Sequence, residues 1–192
     1  MNNPEYVKIE DTLYKINTDF RTAIDCNEII SDESISDRER ALAIIYLLYG
    51  DKGIEAYHHY QELLNKAIKY LTFNKENIEE DNERPNMDFK QDMWLIEASF
   101  KSDYAITLKD EKMHYWDFYK YINGLTDKCI LNRVRELRDY DVSKIKDIKE
   151  KEKIIKQQKQ FELKKKKKRL NNEQLKSINE FYEKLGITRE EW

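Results

Sequence analysis

A mainly α protein, a compact helical body with a small N-terminal β-hairpin and a long basic C-terminal helix, is the fold class this sequence predicts. Three observations predict it. Apolar residues recur at helical spacing along most of the chain, from Phe20 to Leu185. Helix punctuation brackets these stretches, with a capping box at Ser36-Asp37-Arg38-Glu39 and stops at Gly50, Gly124 and Gly186. Strand-like alternation is confined to residues 6–16.

Taken in order, Val7, Ile9, Leu13, Tyr14 and Ile16 flank the polar break Glu10-Asp11-Thr12, which reads as a two-stranded hairpin. Two short strands are marginal alone and must lie on the helices. Asn17 and Thr18 are candidate caps for a helix over 19–30 that turns Phe20, Ala23, Ile24 and Cys26 inward. The capping box opens a second helix, whose apolar run over 41–49 marks it as buried. Tyr57, Tyr60, Leu64, Ala67, Ile68 and Leu71 predict an amphipathic helix to about Phe73. Residues 74–86 carry Glu79, Glu80, Asp81 and Glu83 before Pro85, which reads as a flexible acidic loop. Phe89, Met93, Ile96 and Phe100 line the next helix, and residues 103–108 break it. Met113 to Ile122 is densely aromatic, and Ile130, Leu131, Val134 and Leu137 make one more short helix.

The expected organisation is a body over 5–140, a basic helical extension over 141–169 and an amphipathic helix over 170–192. The extension's apolar stripe is sparse, so it is expected to project or to pair with another chain. At 1.5 Å per residue it would be about 40 Å long.

Charge is unevenly placed. The net charge of −3 conceals residues 144–169, which hold 13 basic and four acidic side chains. Such asymmetry fits a polyanion contact, an acidic partner or self-association. Lys, Asn, Ile and Tyr make up 74 of 192 residues. All have A/T-rich codons, so part of the lysine excess reflects base composition.

Several classes are excluded by simple counts. Two Cys, at positions 26 and 129, make no disulfide scaffold. The longest apolar run is nine residues, against about 20 for a membrane span. The opening Met1-Asn2-Asn3-Pro4-Glu5 lacks the basic-then-apolar order of a secretory signal. The expectation is a cytoplasmic protein without a membrane segment.

No catalytic constellation is readable. Four glycines leave little for a phosphate cradle, and no serine-nucleophile or dinucleotide signature occurs. His58 with Glu62 has ligand-like spacing, but a third ligand is wanting, so no metal is expected. No catalytic residue and no cofactor is assigned, and a non-enzyme is expected. The candidate partner-binding residues are Tyr115, Trp116 and Tyr119 as aromatic contacts. Lys164, Lys165, Lys166, Lys167, Lys168 and Arg169 are candidate electrostatic contacts. Rings at helical spacing are more often core, which weighs against the first set. No aromatic interrupts the cationic run, which weighs against single-strand nucleic acid.

Three segments together carry a resemblance. They are Ile16-Asn17-Thr18-Asp19-Phe20-Arg21, the box Met113-His114-Tyr115-Trp116-Asp117-Phe118, and Val134-Arg135-Glu136-Leu137-Arg138 with Asp141-Val142-Ser143-Lys144. In this order, over about 5–165, they resemble the bacteriophage gene-product-fifteen family of Gram-positive siphophages and prophages. The family box often reads His-Trp-Trp, where this chain has His114-Tyr115-Trp116. Members are typically encoded between the major tail protein and the tape-measure protein, the gene position of tail assembly chaperones. The resemblance implies a non-enzymatic tail assembly chaperone that binds the tape-measure protein, or another phage tail protein, with self-association open. The alternatives are a nucleic-acid-binding accessory protein using residues 144–169, with nucleic acid the less favoured partner, and a structural subunit of the virion tail.

Overall fold

The computed structural model describes residues 3–32, 34–74 and 86–164. The hairpin pairs β1 (Tyr6–Ile9) with β2 (Thr12–Lys15) in antiparallel register, Ile9 opposite Thr12. Its two-residue turn puts Glu10 at φ 48°, a left-handed conformation that glycine more often fills. Ile9 and Tyr14 face the body and are buried.

Helix α1 (Phe20–Ile30) is capped by Asp19, whose carboxylate accepts from the Arg21 amide. The cap therefore lies one residue beyond Asn17 and Thr18, where the chain has its first short side chain next to a free helical N–H. Phe20, Ala23, Ile24 and Cys26 are all buried, as their spacing predicts. Helix α2 (Asp37–Glu55) starts on the predicted capping box, with Ser36 and Glu39 satisfying each other's amides. Gly50 ends its first stretch, as the sequence predicts. Its φ of 63° and ψ of −157° kink the helix, which then resumes. Gly53 lets the resumed turn close up, since a Cβ there would lie 2.6 Å from Tyr49 Cβ.

After a 3-10 turn over Tyr57–His59 comes α3 (Tyr60–Leu71). It buries Leu63, Ala67, Tyr70 and Leu71, while Tyr57 is exposed and Leu64 only half-buried. The predicted face is therefore rotated, because apolar residues occupy both flanks of this helix. Helix α4 (Met93–Tyr104) buries Leu95, Ile96, Ser99 and Phe100, whereas Trp94 is exposed. Helix α5 (Tyr115–Asn123) and helix α6 (Ile130–Asp139) complete the body.

One core holds these elements together. Phe20, Phe100 and Phe118 stack at its centre, with the Phe20 and Phe118 rings 4.2 Å apart. Each such ring stabilises the fold by about 1.5–3 kcal/mol through burial. The hairpin lies on α2 and α3, α1 packs on α2 and α5, and α4 packs on α5 and α6.

The basic extension differs from expectation. It is not one helix over 141–169. A 3-10 turn at Val142–Lys144 precedes α7 (Ile148–Gln160), whose start is set by Asp147 as N-cap. Its described part, to Lys164, does not project either, because side chains fasten it to the body. Gln158 donates to Leu137 O and Tyr140 O, and Arg138 donates to Phe161 O. Most of the acidic loop, the lysine run beyond Lys164 and the helix expected over 170–192 lie outside the described residues.

Candidate partner-binding surface

Two of the three sequence segments singled out above meet in the fold. Residues 17–19 and 113–115 lie side by side through backbone pairing. Phe20 N donates to Met113 O, Tyr115 N donates to Thr18 O, and Asp19 bridges His114. Arg21 completes the junction by donating to the carbonyls of Leu108 and Glu111. His114 caps α5, its Nδ1 accepting from the Trp116 amide, while Nε2 meets Pro4 O at 3.1 Å. That arrangement selects the Nε2–H tautomer, which donates to Pro4. The third segment anchors elsewhere. Arg138 forms a two-pronged bridge to Asp92, both bonds 2.7 Å, and also donates to Asn86 O and Phe161 O. Asp92 is buried and Arg138 nearly so. Sequence reasoning had given neither arginine a task. The available signal was Arg138 four positions after the inward Val134, on a face otherwise apolar.

The candidate aromatic contacts separate. Tyr115 is only 2% exposed and belongs to the core. Its hydroxyl donates weakly to Leu71 O, and burial raises its pKa. It therefore offers no ring to a partner. Trp116 and Tyr119 are half-buried. The Trp116 indole N–H donates to Tyr70 O at 3.0 Å, and its ring stacks on Tyr70. Phe73 packs on Tyr119 at 4.3 Å. Phe73 and Asn74 both have positive φ, so α3 ends in a hook that folds Phe73 back over α5.

An open groove of about 580 Å³ runs beside this stack, lined by Pro4, Val7, Ile16, Tyr70 and Trp116, with Lys66, Lys69 and Asn74 also on it. Its floor is apolar and aromatic, and its two lysines are exposed. Such a groove suits an apolar side chain carried on a segment with acidic neighbours.

Among the cationic candidates only Lys164 is described. Gln91 holds its backbone in both directions, accepting from Lys164 N and donating to Lys164 O. Lys165, Lys166, Lys167, Lys168 and Arg169 lie outside the described residues. Among the described residues no group of three or more His, Cys, Asp or Glu side chains is placed to hold a metal ion. No described helix is long and apolar enough to cross a membrane.

A family model described as Bacteriophage Gp15 protein matches residues 1–163. No curated protein and no solved structure matches the chain.

Proposed function

The chain belongs to the Bacteriophage Gp15 protein family, and from that premise we propose that it is a non-enzymatic tail assembly chaperone that binds the tape-measure protein. Membership gives it a structural or assembly role in a phage, among other phage proteins as partners. The observation that carries the finer reading is the half-open Trp116 groove, an aromatic floor flanked by Lys66 and Lys69. A long helical protein awaiting a tail tube exposes apolar stripes, and a chaperone must cover them without burying itself first. The matched region ends at residue 163, so the lysine run lies outside it. Binding is therefore assigned to the body.

Co-expression with the tape-measure protein of the same phage, followed by affinity capture at low and high salt, tests this. The expected result is a soluble complex with the unaltered chain and loss of capture with Trp116→Ala. Thermal melting of the variant keeps a folding defect apart from a binding defect. Failure of the unaltered chain to capture the tape-measure protein at either salt overturns the proposal.

A further inference from the structure

Of the four glycines, one follows an asparagine, in the pair Asn123-Gly124. Asparagine is thermolabile, and most so before glycine, whose missing side chain leaves the following nitrogen free to approach. Attack of the Gly124 nitrogen on Asn123 Cγ closes a five-membered imide. The attacking nitrogen gives up its proton, and Nδ2 leaves as ammonia. Water then opens the ring at either carbonyl, leaving aspartate or isoaspartate. One water is consumed, one ammonia is released, and nothing is oxidised or reduced.

The fold uses both residues. Asn123 is the last residue of α5, and its Nδ2 donates to Tyr119 O at 2.7 Å. Gly124 is the C-cap, and its N–H is shared between Lys120 O at 3.0 Å and Tyr121 O at 3.1 Å. A Cβ on Gly124 would lie 2.9 Å from the Tyr104 hydroxyl oxygen, which itself donates to Tyr121 O at 2.9 Å. The seating of Tyr104 over the end of α5 therefore calls for glycine. Both residues are exposed, so water reaches the pair. The same bonds hold the reaction off. The Gly124 proton is aimed at two carbonyls, and the leaving amide is tied one turn back. Contact between the Gly124 nitrogen and Asn123 Cγ requires these bonds to break and the last turn to open. Helix ends open locally at far lower cost than the whole domain.

We infer that Asn123 is a site of spontaneous deamidation, gated by opening of the last turn of α5. The product keeps the gate ajar. A carboxylate at 123 cannot donate to Tyr119 O, and it adds negative charge to the negative end of a helix dipole. Isoaspartate also lengthens the main chain by one methylene, two residues before Leu125 of the core. The change runs one way, so the fraction of altered chains records how long this turn has stood open.

The test keeps the full chain at mildly alkaline pH, folded in one sample and in urea in another. Peptide mapping by mass spectrometry follows the amide-to-acid change at position 123. Labelling by an isoaspartate carboxyl methyltransferase reports the isoaspartate fraction. The expected result is conversion at position 123 in urea and at least tenfold slower conversion in the folded chain. In the unaltered chain the rate should already rise at urea concentrations below the unfolding midpoint, because the last turn opens before the body does. Tyr104→Phe, which removes the hydroxyl bond to Tyr121 O, should speed conversion several-fold in the folded chain and leave the rate in urea unchanged. Asn123→Gln, whose longer side chain disfavours ring closure, should stay unmodified in both samples. Equal rates with and without urea overturn the gate. So does a rate in the unaltered chain that rises only with global unfolding, whatever Tyr104→Phe does to folding. No conversion at position 123 in urea overturns the site itself.

Discussion

Replacing Arg138 with methionine removes the cation that, among the described residues, pairs with a carboxylate that is almost wholly enclosed. Asp92 has 3% of its side chain exposed and Arg138 has 11%. Without the guanidinium, Asp92 keeps, among the described residues, the Asp88 amide at 3.0 Å. Asn86 O and Phe161 O lose their donor as well. Leaving one member of a buried pair uncompensated costs about 3–5 kcal/mol. Whole domains have only about 5–15 kcal/mol. A chain of this size loses about 2–4 °C of Tm per kcal/mol, so Arg138→Met should melt about 10 °C lower. With a urea slope of about 2 kcal/mol per molar, the midpoint should fall by about 2 M. Urea titration followed by far-UV circular dichroism and tryptophan fluorescence provides two probes of the transition. The double variant Asp92→Leu/Arg138→Met should regain most of the loss, because it removes the stranded charge together with its partner. A single-variant loss below about 1 kcal/mol would refute this reasoning, since that is what an exposed pair contributes. So would a double variant as unstable as the sum of the two single changes, which would mean that the residues are not coupled.

Three further outcomes are expected. Burial pushes the Cys26 thiol from its ordinary 9.0 up to about 12. The folded chain should therefore resist alkylation at pH 8 and react in denaturant. The unfolded thiol ionises first, so its contribution to stability is complete below about pH 9 and is lost as pH rises towards 12, which urea titrations across that window would register. Gly53→Ala places a Cβ 2.6 Å from Tyr49 Cβ and 3.1 Å from Ile45 Cγ2. It should destabilise by about 1–3 kcal/mol despite alanine's higher helix propensity, read as a lower thermal midpoint. Arg21→Ala leaves the Leu108 and Glu111 carbonyls without their guanidinium donor. Because this side chain is partly exposed, the expected loss is about 1 kcal/mol, and hydrogen exchange should rise over residues 108–112.

Local signals were legible in the sequence and distant ones were not. The Ser36–Glu39 box, the hairpin about Glu10 and Asp11, and the inward set on α1 each depend on neighbours within four residues. The face of α3 is not fixed by spacing, because Leu63 and Leu64 are adjacent and only packing decides between them. The length and course of α7 left no periodic trace, since its fastening comes from Arg138, Gln158 and Gln91 acting on backbone carbonyls and amides. For the candidate surface, helical spacing identified an aromatic cluster on α5. It did not separate Tyr115, which points into the core, from Trp116, which lines a groove. That separation comes from the hook at Phe73 and Asn74, of which only Asn74 is a residue type that favours positive φ.

The pairing of residues 17–19 with 113–115 also fixes an order of events during synthesis. Asp19 and His114 are 95 positions apart. At about 5–20 residues per second, the N-terminal segment emerges roughly 5–20 s before its mate has been made. During that interval α1 and α2 have each other, but Phe20 lacks Phe118 and the Thr18 carbonyl lacks the Tyr115 amide. The body therefore locks late, as α5 leaves the ribosome. A message that stops short of α5 yields a chain with its central aromatic layer uncovered, a natural substrate for host proteases rather than a smaller working protein.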